Sequence, residues 1–121
     1  MKFVWSTLYV MDLEQSLKFY EEIVGLSISR RFPAGPGREI VFLGDGETQI
    51  ELIQDQKRMM NIQASGDFSW GFLTENLEAT YDLCKEKGVP IYSEIESPNP
   101  HVRFFMALDP NGLKVQFAEQ K

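Results

Sequence analysis

Val10-Met11-Asp12-Leu13-Glu14-Gln15-Ser16-Leu17-Lys18-Phe19-Tyr20, running on to Val24-Gly25-Leu26, decides how this chain is organised. Asp12 can accept hydrogen bonds from the first backbone N–H groups of a helix, and Gln15 stands where a capping box is completed. Leu13, Leu17, Tyr20 and Val24 recur at helical spacing, and Gly25 can take the left-handed backbone that ends a helix. Upstream, residues 3–10 are rich in β-branched and aromatic side chains and read as a strand. Downstream, residues 26–32, 39–43 and 48–53 read as three more strands, broken by Pro33-Ala34-Gly35-Pro36-Gly37 and Gly44-Asp45-Gly46. The order is βαβββ.

The second half repeats it. Residues 70–74 read as a strand, Asn76 caps a helix presenting Leu77, Tyr81 and Cys84, and Gly88 is its stop. Residues 90–95, 102–108 and 113–118 supply three strands, the last two joined by the turn Asp109-Pro110-Asn111-Gly112. Asp12-Leu13-Glu14 corresponds to Asn76-Leu77-Glu78 and Gly25 to Gly88, a period of roughly 64 residues that indicates a duplicated module rather than a solenoid. The expected layout is one α+β domain over residues 1–121: module one 1–55, a linker 56–67, and module two 68–121. In the linker, Met59 and Met60 read equally as an adaptable lid over a ligand or as subunit contacts.

The composition narrows the function. A chain of 121 residues that is 43% hydrophobic and 25% charged has the make-up of one folded domain rather than of disorder. Eighteen acidic against twelve basic side chains give a formal charge of -6 with no Lys/Arg cluster, so nucleic acid is not an expected partner. No apolar run approaches the roughly 18 residues of a membrane span, and with one cysteine, Cys84, the chain suits the cytoplasm. The single histidine, His101, excludes a two-histidine metal site within one chain. His101 follows Pro98-Asn99-Pro100 in a loop at a strand entrance, at a pocket rim or simply in solvent.

The helix segment above, the strand Gln49-Ile50-Glu51-Leu52-Ile53 and the closing Asp109-Pro110-Asn111-Gly112-Leu113-Lys114-Val115-Gln116-Phe117 resemble the glyoxalase, bleomycin-resistance and extradiol-dioxygenase superfamily, also called the vicinal oxygen chelate superfamily. The resemblance covers nearly the whole chain. It implies paired βαβββ modules forming a cupped mixed sheet, a cavity for a divalent metal or an organic ligand, and a homodimer of interlocked modules. Metal-binding members take one histidine or glutamate from each of four strands. Carried across, those positions fall on Trp5, Glu51, Ser69 and Gln116, and only Glu51 is a competent ligand.

Strand alternation then suggests what lines the cavity. With Trp5 inward, Thr7 and Tyr9 share its face; Gln49 and Glu51 point inward, as do Ser69, Lys114 and Gln116, opposite a core of Val115 and Phe117. In the strand 102–108, the set Arg103, Phe105 and Ala107 is taken as the inward one. Trp5 either stacks on a ligand or fills volume vacated by a metal. Glu51 is either an acid/base or cation anchor, or a carboxylate paired with Arg103, Arg38 or Lys114, and the paired reading is favoured because a buried lone carboxylate is costly. Cys84, Phe19 and Tyr20 are expected in the core. The resulting expectation is a protein without metal or other cofactor that binds a small, flat organic molecule, with Glu51 and the acidic surface favouring a cation and Trp5, Tyr9 and Phe105 supplying stacking surface. The competing expectation is a metal-dependent lyase or dioxygenase of the same superfamily.

Overall fold

The computed structural model describes residues 1–58 and 65–121, which leaves Met59 and Met60 outside the described residues. The chain divides into two compact units, Met1–Ile62 and Gln63–Lys121. The first runs β1 (Trp5–Tyr9), α1 (Leu13–Glu22), β2 (Ile28–Pro33), β3 (Arg38–Leu43) and β4 (Gln49–Asp55). The second runs β5 (Ser69–Leu73), α2 (Leu77–Glu86), β6 (Ile91–Asn99), β7 (Val102–Leu108) and β8 (Lys114–Gln120). The fold is α+β, with two four-stranded mixed sheets ordered β1-β4-β3-β2 and β5-β8-β7-β6. In each, the first strand runs parallel to the last, and a helical crossover makes that pairing possible.

Both helices form where the caps were read. The Asp12 side chain accepts from the Gln15 N–H at 3.1 Å, and the Asn76 side chain accepts from the Ala79 N–H at 3.0 Å. Gly25 and Gly88 have φ of 84° and 72°, the left-handed region that costs any residue with a Cβ. Between these limits α1 buries Leu13, Leu17, Phe19 and Tyr20, and α2 buries Leu77 and Cys84.

Each helix is tied to its sheet in the same way. In the first unit Gln54 Oε1 accepts the Leu13 N–H at 2.7 Å; in the second Glu119 Oε2 accepts the Leu77 N–H at 3.2 Å. An arginine from the sheet then grips the next helical residue. Arg31 bridges Glu14 and Glu39, and Arg103 holds Glu78 at 2.7 Å and Glu119 at 2.8 Å. These joins give an orphan N–H of each first turn an acceptor and place an acidic residue at the positive end of each helix.

The strands differ from expectation at their ends. β6 continues through Pro98 to Asn99, which an edge strand tolerates because its outer N–H groups need no ladder partner. Its pairing with β7 shifts register between Ile91 and Ser93, between Ser93 and Glu96, and between Glu96 and Asn99. Such bulges bend an edge away from stray pairing. Among the described residues no helix is long and apolar enough to cross a membrane.

Candidate functional site

Register fixes which side chains share a face. In the first unit Trp5, Thr7 and Tyr9 of β1 pair with Gln49, Glu51 and Ile53 of β4. Glu51 pairs onward with Phe42 of β3, and Phe42 with Arg30 of β2. Cross-strand partners point the same way, so all of these lie on the face opposite α1, while Val41, Leu43, Ile50, Leu52 and Gln54 face the helix.

On that face the Thr7 hydroxyl donates to Glu51 Oε1 at 2.5 Å. Trp5 is 51% exposed and meets Phe42 edge to face, with ring centroids 5.7 Å apart. Phe42 is buried and clusters with Ile40 and Ile53, against which Tyr9 and Phe32 pack. Gln49 spends both N–H groups of its amide, on Ser29 Oγ at 2.8 Å and the Gly44 carbonyl at 2.7 Å. It therefore braces the end of the sheet. The Tyr9 hydroxyl accepts from Arg38 Nη2 at 3.3 Å, and the Arg58 guanidinium carbon sits 4.0 Å from the Tyr9 ring centroid.

Glu51 corrects one expectation. Arg38 engages Tyr9 and lies 3.8 Å from Asp55, Arg103 engages Glu78 and Glu119, and Lys114 donates to the Gly66 carbonyl at 2.9 Å. Within the first unit Arg38 does not pair with Glu51, and Arg103 and Lys114 are engaged within the second unit. The reason is burial: Glu51 is only half-buried, so solvent and the Thr7 hydroxyl satisfy a carboxylate that a fully buried site would have forced to find a cation.

In the second unit Ser69 pairs with Lys114 and Gly71 with Gln116, placing Ser69, Lys114 and Gln116 on the face opposite α2. Ser69 is exposed, the Lys114 ammonium lies 4.4 Å from the Tyr92 ring centroid, and Gln116 Oε1 comes within 3.4 Å of where a Cβ on Gly71 would stand. The Arg103 set is a second correction. Phe105 pairs with Phe117 and Arg103 with Glu119, both on the helix side. Phe105 is fully buried, 5.3 Å from the Phe117 centroid and 5.3 Å from that of Tyr81 on α2. It is core, and Arg103 is a helix clamp; the residues of β7 on the opposite face are Val102, Phe104, Met106 and Leu108. Exposed His101 sits in the β6–β7 turn, its N–H bonded to Asn99 Oδ1 at 2.8 Å. Cys84 is fully buried, and burial pushes its thiol up to about 11, which leaves it protonated and inert.

The residues at the four superfamily metal positions do not fit a divalent metal. The indole of Trp5 offers only an N–H donor, Ser69 a neutral hydroxyl and Gln116 a neutral amide oxygen. Glu51 alone is a competent ligand, and Thr7 already occupies one of its oxygens. Among the described residues no group of three or more His, Cys, Asp or Glu is arranged to hold a metal ion.

The arginine clamps carry a pH prediction. Hydrogen bonds from Arg31 to Glu39, and from Arg103 to Glu78 and Glu119, hold these three carboxyls below the usual carboxylate range. A carboxyl whose pKa is depressed by folding contributes stability that is present above its unfolded pKa, about 4.3, and lost as pH falls through the folded value. The melting temperature is therefore expected to fall progressively on acidification below about pH 4.3. Arg103→Gln should flatten that acid slope; an unchanged slope in thermal melts across this range would show that the Arg103 clamp contributes nothing.

A family model described as the Glyoxalase/Bleomycin resistance protein/Dioxygenase superfamily matches residues 2–117. The lactoylglutathione lyase of Neisseria meningitidis serogroup A is 27% identical over 128 residues, covering 100% of this chain and 92% of its own. Among solved structures, the trypanothione-dependent glyoxalase I of Leishmania major matches with a TM-score of 0.84 at 22% identity, over 98% of this chain and 86% of that one. TnmS3, an antibiotic binding protein from Streptomyces sp. CB03234, matches with a TM-score of 0.77 at 20% identity, over 100% of this chain and 97% of that one. At these identities the two structures establish the fold.

Proposed function

Because the chain belongs to the Glyoxalase/Bleomycin resistance protein/Dioxygenase superfamily, we propose that it is a metal-free binding protein that sequesters a small, flat organic molecule. The observation that carries this reading is the donor set: a half-exposed indole, a hydroxyl and an amide stand at three of the four superfamily ligand positions, and only Glu51 keeps metal-binding chemistry. The face opposite α1 offers what a ligand site needs without a metal. Trp5 presents a stacking surface, and Glu51, with one oxygen held by Thr7, keeps acceptor capacity for a ligand N–H. TnmS3, of the same fold and described as an antibiotic binding protein, supports the reading.

The second reading is a metal-dependent lyase, and the lactoylglutathione lyase relative spanning the whole chain favours it. One measurement separates them. Elemental analysis of protein purified without chelator, then titration with Ni, Zn, Mn and Fe, is expected to show no stoichiometric site. Tight one-to-one binding of any of these metals overturns the metal-free reading. A thermal-shift screen of small aromatic compounds is expected to find stabilising ligands, since binding to the folded state alone raises stability by mass action.

The proposed protein is also a cytoplasmic homodimer. Its buried, unpaired Cys84 suits a reducing compartment, and dimerisation is what superfamily membership implies for a chain of two modules. Size-exclusion chromatography with light scattering tests the dimer; a strict monomer at high concentration removes it.

A further inference from the structure

Arg30 has no role in the scheme above, and its geometry asks for one. Arg30 and Arg31 are neighbours in β2, so their side chains leave on opposite faces. Arg31 goes to the helix side and is held by Glu14 and Glu39. Arg30 goes to the face of Trp5 and Glu51, where its guanidinium carbon stands 4.2 Å from the Phe42 centroid and 5.9 Å from that of Phe32. Among the described residues its side chain makes no hydrogen bond and no ion pair, and it is exposed.

The cation–π contact with Phe42 spends no hydrogen bond, so the guanidinium N–H groups stay free for a ligand. Those groups are the part that binds a carboxylate, phosphonate or sulfonate by paired hydrogen bonds. Phe42 forms the floor for three groups at once: Arg30 over its ring, Trp5 in T-shaped contact with it, and Glu51 as its direct partner on β4. Arg30, Phe42 and Glu51 thus stand in one row across three strands. The backbones at the two ends of that row are two strand spacings apart, on the order of 10 Å, and the guanidinium, drawn in over Phe42, makes no ion pair with Glu51. A negative group and a positive group on one face that do not neutralise each other, beside an exposed indole, form a template for a ligand with the complementary ends.

We infer that the ligand of this face is bipolar: a flat ring against Trp5, a cationic or N–H-donating group at Glu51, and an anionic group at Arg30. This rests on the binding reading above and names the ligand class for it. Charge alone would have placed only a cation here, because the chain is acidic overall and Glu51 is the residue that alternation exposes.

Three probes test it by isothermal titration: 4-(aminomethyl)benzoate with both ends, benzylamine with the cation alone, and benzoate with the anion alone. The bipolar probe is expected to bind wild-type protein at least about tenfold more tightly than either half, the scale of one charge-assisted pair. Arg30→Gln should weaken 4-(aminomethyl)benzoate and benzoate by about tenfold and spare benzylamine, while Glu51→Gln should weaken 4-(aminomethyl)benzoate and benzylamine by about tenfold and spare benzoate. Unchanged affinity for all three probes in Arg30→Gln overturns the inference. If none of the three binds while other aromatics in the thermal-shift screen do, the bipolar assignment falls and the flat-ligand reading stands. If nothing in either set binds, both fall.

Discussion

Phe105→Ala is expected to lower unfolding stability by about 3–5 kcal/mol and to leave ligand affinity per folded molecule unchanged. Phe105 is fully buried, and its ring lies between Phe117 of β8 and Tyr81 of α2. Truncation removes the transfer free energy of the ring and leaves a cavity that cannot close, because β7 and β8 are fixed by a full hydrogen-bonded ladder from Val102 to Leu108. Paired denaturant melts and ligand titrations measure both quantities. A residue lining the ligand face would behave oppositely, with a modest stability change and a large loss of affinity. That opposite pattern would return Phe105 to the site and reverse the facing assigned to the whole of β7.

The facing of β7 was legible in the sequence through a longer route than strand alternation. Alternation alone leaves two sets, and the four apolar residues Val102, Phe104, Met106 and Leu108 look more like core than a set containing Arg103. The turn decides it. Asp109 Oδ1 accepts from the Asn111 N–H and the Leu113 N–H, each at 2.8 Å, and the closed turn sets Leu108 opposite Lys114. Counting back from there puts Phe105 opposite Phe117, and Phe117 already belonged to the core. Arg103 can face the helix because that side is not dry at its edge, where Glu78 and Glu119 receive the guanidinium.

The first module shows the complementary limit. Its helix, caps and terminal glycine are local features, each satisfied within a few residues, and the sequence displays them directly. Trp5, Thr7 and Glu51 share a face, as strand alternation predicts, because one parallel register relates β1 to β4. Phe42 and Arg30, on the same face, are not legible from alternation. β3 is apolar on both faces, so alternation in Ile40-Val41-Phe42-Leu43 carries no information, and β2 reaches its pairing through a register shift between Ile28 and Arg30. The one usable signal was Arg30-Arg31: adjacent arginines in a strand point to opposite faces, so only one of them can serve the helix.

Trp5→Ala, the companion test of the site, is expected to cost little stability and much affinity. Trp5 is 51% exposed and meets Phe42 in a T-shaped contact, so truncation opens no enclosed cavity and removes an aromatic pair worth about 1 kcal/mol. For a ring stacked on the indole, the same change should remove about 1 kcal/mol or more beyond the lost area, roughly fivefold or more in affinity. Glu51→Gln separates the two ends of the site. The Thr7 hydroxyl can still donate to the amide oxygen, so the fold should hold, while a cationic group loses its charge partner and a neutral ligand is spared. Isothermal titration with ligand, with denaturant melts of the same preparations, reads all of these. Full affinity in both variants alongside a large stability loss in Trp5→Ala would move the site off this face, because the indole would then be filling volume rather than meeting a ligand.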